Sequence, residues 1–216
     1  MSFSSILSFD LPSAKLLWLD LTKNNLELSH LNPDNTREFT EYVFKKIKNA
    51  QADLGIGGWL EDRFIYSSRE QFNKGKSRNI HLGVDIWMPA GTPLFCPTQC
   101  EVHSFANNLG FGNYGPTIIL KAENTELYFL YGHLSLESLH DIEVGQKIES
   151  GKKVAEIGNF PINGDWPPHL HFQVMNNMLG KEGDFPGVCA TSELKVMQKF
   201  CLNPYPFLGL DEKPIT

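Results

Sequence analysis

Three short stretches hold most of the residues able to do chemistry. In NIHLGVDIW (79–87) the two-residue period of a strand separates Ile80, Leu82, Val84 and Ile86 from His81, Gly83, Asp85 and Trp87, so the first set faces a core and the second is free for chemistry. His81 and Asp85 then share a face with only Gly83 between them, which leaves room for an ion held by the imidazole and the carboxylate. The same sorting of PHLHFQV (168–174) sends Leu170, Phe172 and Val174 inward and keeps His169, His171 and Gln173 together on the opposite face. Alternate strand residues stand about 6.6 Å apart, so one of these imidazoles suits a metal and its neighbour the water beside it. His133, in LYFLYGHLS (127–135), ends a third strand with Phe129 and Tyr131 on its own side and reaches toward the same cleft.

Imidazole nitrogen and carboxylate oxygen are both ordinary zinc ligands, and the set fits one zinc ion with three protein ligands and a fourth position open to water. An open position implies catalysis. Zinc acidifies water and polarises a scissile carbonyl, while histidines off the metal accept a proton and stabilise an oxyanion, so hydrolysis of a peptide or amide is the expected reaction. No H-E-x-x-H occurs in the chain, so histidine must take the role that a helix-borne glutamate has in that class of zinc peptidase.

The elements expected to carry these residues are mostly strands. After residue 55 short apolar alternations are divided by Gly, Pro and Asn clusters such as MPAGTP, NNLGFGNYGP and GNFPINGDWPP. Strands are predicted at 79–87, 100–106, 116–122, 126–134, 152–157 and 168–175, an all-β core laid out as an antiparallel barrel or sandwich, with a short helical turn at SLESL. Phe39, Tyr42, Val43 and Ile47 predict an amphipathic helix from Asp34 to about Asp53, preceded by one or two short strands in KLLWLDL and LELSHL. TSELKVMQKFCL predicts a closing helix stopped by NPYP. The chain therefore divides into an extension over 1–54, a β domain over 55–180 and a second extension over 181–216.

Composition bounds the partners. Nineteen Lys and Arg against 25 Asp and Glu give a net charge of −6, which argues against a nucleic-acid partner. Every apolar run is interrupted long before the ~18 residues of a membrane span. The N-terminus has no basic region ahead of an apolar stretch, and Cys96, Cys100, Cys189 and Cys201 have neither zinc-knuckle nor redox spacing, so free buried thiols in a reducing, cytoplasmic compartment are expected. Cys96 and Cys100 lie too far apart along one strand for a disulfide unless the chain bends.

These residues resemble the lysostaphin and LytM-type zinc endopeptidases, metallopeptidase family twenty-three, through HLGVDIWMPAGTPLFCP, YGHLSLESL, EVGQKIESGKKVAEIG and PPHLHFQV, over roughly residues 78–176. The resemblance implies His81, Asp85 and His171 as zinc ligands, His133 and His169 as an uncoordinated catalytic pair, and a small antiparallel β fold with the site in an open groove. It also implies peptidoglycan cross-bridges and stem peptides as substrates. The loop GNFPINGDWPP departs from the family's small Ser/Thr/Gly-rich loop by adding Phe160 and Trp166. GIGGWLEDRFIYSS, NYGPTIIL, NGDWPPHLHFQV and GDFPGV are similar to a peptidase-like domain of longer bacterial proteins, where it adjoins a kinase-like and an aminotransferase domain. Glu61, Asp62, Arg63 and Arg78 either line the groove and hold a carboxylate or phosphate, or form a buried structural ion pair.

Two rival readings stand beside the hydrolase of peptides: a non-catalytic binding module on the same fold, and a zinc hydrolase or lyase for a small metabolite. The second is separated from a peptidase by whether the groove is open at both ends or walled by the 159–168 loop.

Overall fold

The computed structural model describes residues 3–66, 72 and 76–211. Ser67 and Ser68, which close the GIGGWLEDRFIYSS stretch, lie outside the described residues. Strands dominate, and the all-β expectation holds. The first two, β1 (Leu16–Leu19) and β2 (Leu54–Gly57), run parallel to each other; the pairs that follow along the main sheet are antiparallel. Those strands are β4 (Val84–Trp87), β6 (Cys100–Asn108), β7 (Gly115–Ala122), β8 (Tyr128–Gly132), β9 (Lys147–Ile148) and β11 (Leu170–Met175). Their order is β1-β2-β4-β11-β8-β7-β6-β9, with β13 (Cys201–Leu202) added against β11. Two short pairs sit beside it, β3 (Ile80–His81) with β12 (Val188–Cys189) and β5 (Pro93–Phe95) with β10 (Lys153–Glu156).

The expected alternation sets the faces. Ile56, Val84, Ile86, Ile118, Leu120, Phe129, Tyr131, Leu170, Phe172 and Val174 form one buried core, where Phe129 stacks on Phe172 at 6.0 Å. The other face of β4 and β11 carries the site. The predicted 79–87 strand is interrupted at Leu82 and Gly83, so β3 leaves the main sheet and pairs with β12 while β4 stays between β2 and β11.

Residues of the N-terminal segment build part of this architecture. Helix α1 (Thr36–Asn49) starts at Asn35, whose side chain accepts from the Glu38 N–H, and buries Phe39, Val43 and Ile47 at four-residue spacing. That stripe packs with Leu19, Leu28, Trp87 and Trp166, so the helix covers the end of the sheet face that bears the site. At the other terminus the expected closing helix is cut short. It amounts to a 3₁₀ turn (Thr191–Glu193) and one α-helical turn (Leu194–Met197), because the chain then turns Cys201 inward to pair with Met175 of β11. Cys96, Cys100, Cys189 and Cys201 are free and buried, as expected. Between β5 and β6 the chain bends at Pro97–Gln99, and the Cys96 thiol donates to the Thr98 carbonyl at 2.9 Å.

Candidate metal centre

His171 of β11 stands directly opposite Asp85 of β4, and His81 ends the neighbouring β3, so three strands deliver three ligand-type side chains to one point. His81 Nε2 lies 3.0 Å from His171 Nδ1 and 3.3 Å from Asp85 Oδ1, and His171 Nδ1 lies 3.2 Å from the same oxygen. All three residues are buried.

Hydrogen bonds on the far side of each ring settle what these atoms are. His81 Nδ1 donates to the Gly58 carbonyl at 2.9 Å, which leaves Nε2 as the lone-pair nitrogen. Gln173 donates its amide N–H to the Pro186 carbonyl, so its oxygen faces His171 Nε2 at 3.0 Å and receives that nitrogen's proton; in a neutral ring Nδ1 then carries the lone pair. Burial, followed by the nearby Arg63 charge, pushes His81 down to about 4, so it is neutral. Burial pushes Asp85 up, but the Arg63 guanidinium and the surrounding imidazoles outweigh it and hold the carboxylate well below its usual range. His81 Nε2, His171 Nδ1 and Asp85 Oδ1 thus form a cluster of potential ligand atoms that a cation would satisfy. Their separations match the edge of a tetrahedron built from zinc bonds of about 2.0–2.1 Å, which is about 3.3 Å. The residues present fit a zinc ion.

The two remaining histidines face the same space. His169 Nδ1 donates to the Pro167 carbonyl at 2.7 Å, and its Nε2 is 3.8 Å from Asp85 Oδ1, with the ring stacked on Trp87 at 4.2 Å. His133 Nδ1 donates to the Asn163 carbonyl at 2.8 Å, and its ring centroid lies 4.3 Å from that of His169. Burial pushes His169 down to about 4 and His133 well below the ordinary range, so both present a neutral Nε2.

The structure changes two of the local expectations. Gly83 does not leave room for an ion; a Cβ there would sit 2.7 Å from His171 Nε2, so the glycine makes room for the imidazole ring. His133 does not follow Phe129 and Tyr131, whose side chains are in the core. The strand ends at Gly132, and His133 takes the left-handed conformation (φ 62°), which swings its ring to the site face.

Of the four charged residues read as groove-lining or ion-paired, Arg63 does both. It lines the cavity and is 1% exposed, donating from Nε to Glu61 Oε2 at 3.0 Å and from Nη1 to the Tyr66 hydroxyl at 3.1 Å and to Asp85 Oδ2. Arg78 lines the cavity, Glu61 is buried behind it, and Asp62 is exposed and accepts from Asn79 Nδ2. Sequence reasoning missed Gly58 and Asn163, which act through backbone carbonyls, and Tyr114, whose hydroxyl is 3.3 Å from His171 Nε2. A main-chain acceptor leaves no signal in residue type.

The cavity above the site measures ≈ 260 Å³. Among the described residues its lining includes Arg63, Tyr66, Phe72, Tyr114, Trp166 and the 184–188 segment. Asn163 fixes the Trp166 wall, donating to the Gly158 and Trp166 carbonyls and accepting from the Trp166 N–H.

Three ligand-type side chains on adjoining strands, with two further histidines beside them, form a possible metal site. Residues 79–182 match Peptidase family M23, so this segment is similar to that family and metallopeptidase-like. Among solved structures, the chain is 25% identical to the catalytic domain of the antimicrobial peptidase lysostaphin from Staphylococcus simulans, covering 61% of this chain and 80% of that one with a TM-score of 0.42. It is 29% identical to LytU over 59% of this chain and 72% of that one (TM-score 0.41). It is 22% identical to the catalytic domain of the prophage-encoded M23 protein EnpA from Enterococcus faecalis, over 50% and 79% (TM-score 0.37). A search among curated proteins gives no match.

Proposed function

We propose that the chain is a zinc-dependent hydrolase that cleaves a peptide or amide bond in a short substrate, with His81, Asp85 and His171 as metal ligands and His133 and His169 as the catalytic pair. The observation that carries this reading is the convergence of His81 Nε2, His171 Nδ1 and Asp85 Oδ1, three potential ligand atoms within 3.3 Å of one another. Bound there, zinc supplies Lewis acidity toward a carbonyl and lowers the pKa of water.

The residues of the chain divide the remaining work. His169 Nε2, neutral and on the cavity side of Asp85, is placed to accept a proton from the attacking water and pass it to the leaving amine. His133, fixed by the Asn163 carbonyl beside His169, is placed to orient the water or the oxyanion. Trp87 stacked on His169 and Trp166 over His133 keep bulk water from both rings.

The small volume of the cavity favours a small amide, such as a peptidoglycan-derived fragment or another small metabolite, over a polymer cross-bridge threaded through an open groove. At ≈ 260 Å³ it is at or below the small end of ligand pockets, which run from about 300 to 1,000 Å³. Elemental mass spectrometry on protein purified without chelator or histidine tag tests the metal reading. One zinc per chain is expected, and no uptake on adding zinc would leave a binding module on the same fold.

A further inference from the structure

Asp85 has two oxygens, and the chain uses both. Oδ1 faces His81 and His171, while Oδ2 accepts from Arg63 Nη1. Arg63 is not a surface cation that happens to reach inward: it is 1% exposed, and Glu61, Tyr66 and Asp85 each take one of its bonds. Its guanidinium lies on β2 at Gly57, where a Cβ would come within 2.6 Å of Nη2. Nη2 itself has no hydrogen-bond partner among the described residues. A buried guanidinium with an unsatisfied N–H is costly, so folding stability alone does not account for it.

We propose that Arg63 is a positioning residue for Asp85: it occupies Oδ2, so that the carboxylate offers a metal only Oδ1, and its charge offsets part of the carboxylate's. This rests on the metal reading above. A carboxylate with both oxygens free can ligate through two and raise the coordination number. A fixed cation on the second oxygen prevents that and repels a dication, so the site binds its metal less tightly than the three ligands alone would.

The sign of this effect separates it from mere bracing. Removing a group that only braces a ligand lowers metal affinity, typically 10- to 100-fold. Removing Arg63 is expected to raise zinc affinity roughly tenfold in chelator competition, because a like charge near the metal is lost. The cobalt-substituted protein gives the second readout, since a four-coordinate cobalt centre absorbs strongly in the visible and a five-coordinate one weakly. Arg63→Met is expected to weaken that band, whereas Arg63→Lys keeps the charge and preserves most of it. Because Arg63→Met removes a buried cation and can fail to fold, Gly57→Ala provides an independent route, displacing the guanidinium without altering any charge. It is expected to weaken the cobalt band in the same way. Wild-type protein that takes up no cobalt overturns the metal reading and this proposal with it. Wild-type uptake, with Gly57→Ala and any folded Arg63 variant keeping the wild-type band and binding zinc equally or less tightly, overturns this proposal alone.

Discussion

His81 and His171 meet through different nitrogens, Nε2 of one and Nδ1 of the other, because each ring is held by its far side to a different acceptor. That division of labour makes the ligand assignment testable one side chain at a time. His81→Ala and Asp85→Ala are expected to abolish zinc binding, while His133→Ala and His169→Ala retain one zinc per chain and lose about 10²- to 10⁴-fold in kcat/KM. Loss of zinc from either of the latter, measured by elemental mass spectrometry, would overturn the division. The same rings set a pH dependence. His81 and His169 are pushed by burial from an ordinary 6.5 to about 4, and His133 well below 6.5, so the unfolded chain takes up protons that the fold refuses. Their contribution to stability is complete above about pH 6.5 and is lost as pH falls toward 4. Calorimetry of the metal-free protein in chelator is expected to show a flat Tm from pH 8 to 7 and a steep fall below about 6.5; a Tm constant down to pH 4.5 would contradict the neutral, buried histidines.

Elements decide which side chains can meet. The β4–β11 register sets His171 beside Asp85, and Gly83 admits the His171 ring between β3 and β4. The alternation of NIHLGVDIW and PHLHFQV made the shared faces of these residues legible in the sequence, but not the strand register or the ring that Gly83 admits. His133 was legible as a residue but not as a position. Strict alternation from Phe129 and Tyr131 points it into the core, and only its left-handed backbone brings it to His169. The 159–168 loop was visible as unusual through Phe160 and Trp166, and the fold makes Trp166 a wall, donating from its indole N–H to the Asn113 carbonyl at 3.2 Å. Trp166→Ala is expected to cost about 3–5 kcal/mol in stability. It is also expected to shift selectivity toward longer peptides, read as the ratio of kcat/KM values along a peptide ladder; an unchanged ratio would mean that the loop does not limit substrate length.

Across the whole molecule, the N-terminal segment packs against the strands that carry the site. Strand β1 pairs with β2, β2 pairs with β4, and α1 places Phe39 on Trp87 at 5.9 Å, which in turn stacks on His169. Phe39→Ala is expected to destabilise the protein by about 3–5 kcal/mol, a clear shift of the urea midpoint followed by tryptophan fluorescence. A cost under about 1 kcal/mol would show that the helix is only appended.

Strand faces, the five site residues and the all-β core follow from local pattern, because a two-residue period and a residue's chemistry are properties of short segments. What lies over those faces is a property of contacts between distant segments, and no short window contains it. Arg63 on Asp85 spans 22 positions, the Asn163 carbonyl on His133 spans 30, and the cavity is lined by residues as far apart as Arg63 and Val188. Local pattern is enough for the ligand-type residues and their shared faces; it takes long-range packing to put Trp166 beside the site, to turn His133 toward it, and to set a buried arginine on the second oxygen of Asp85.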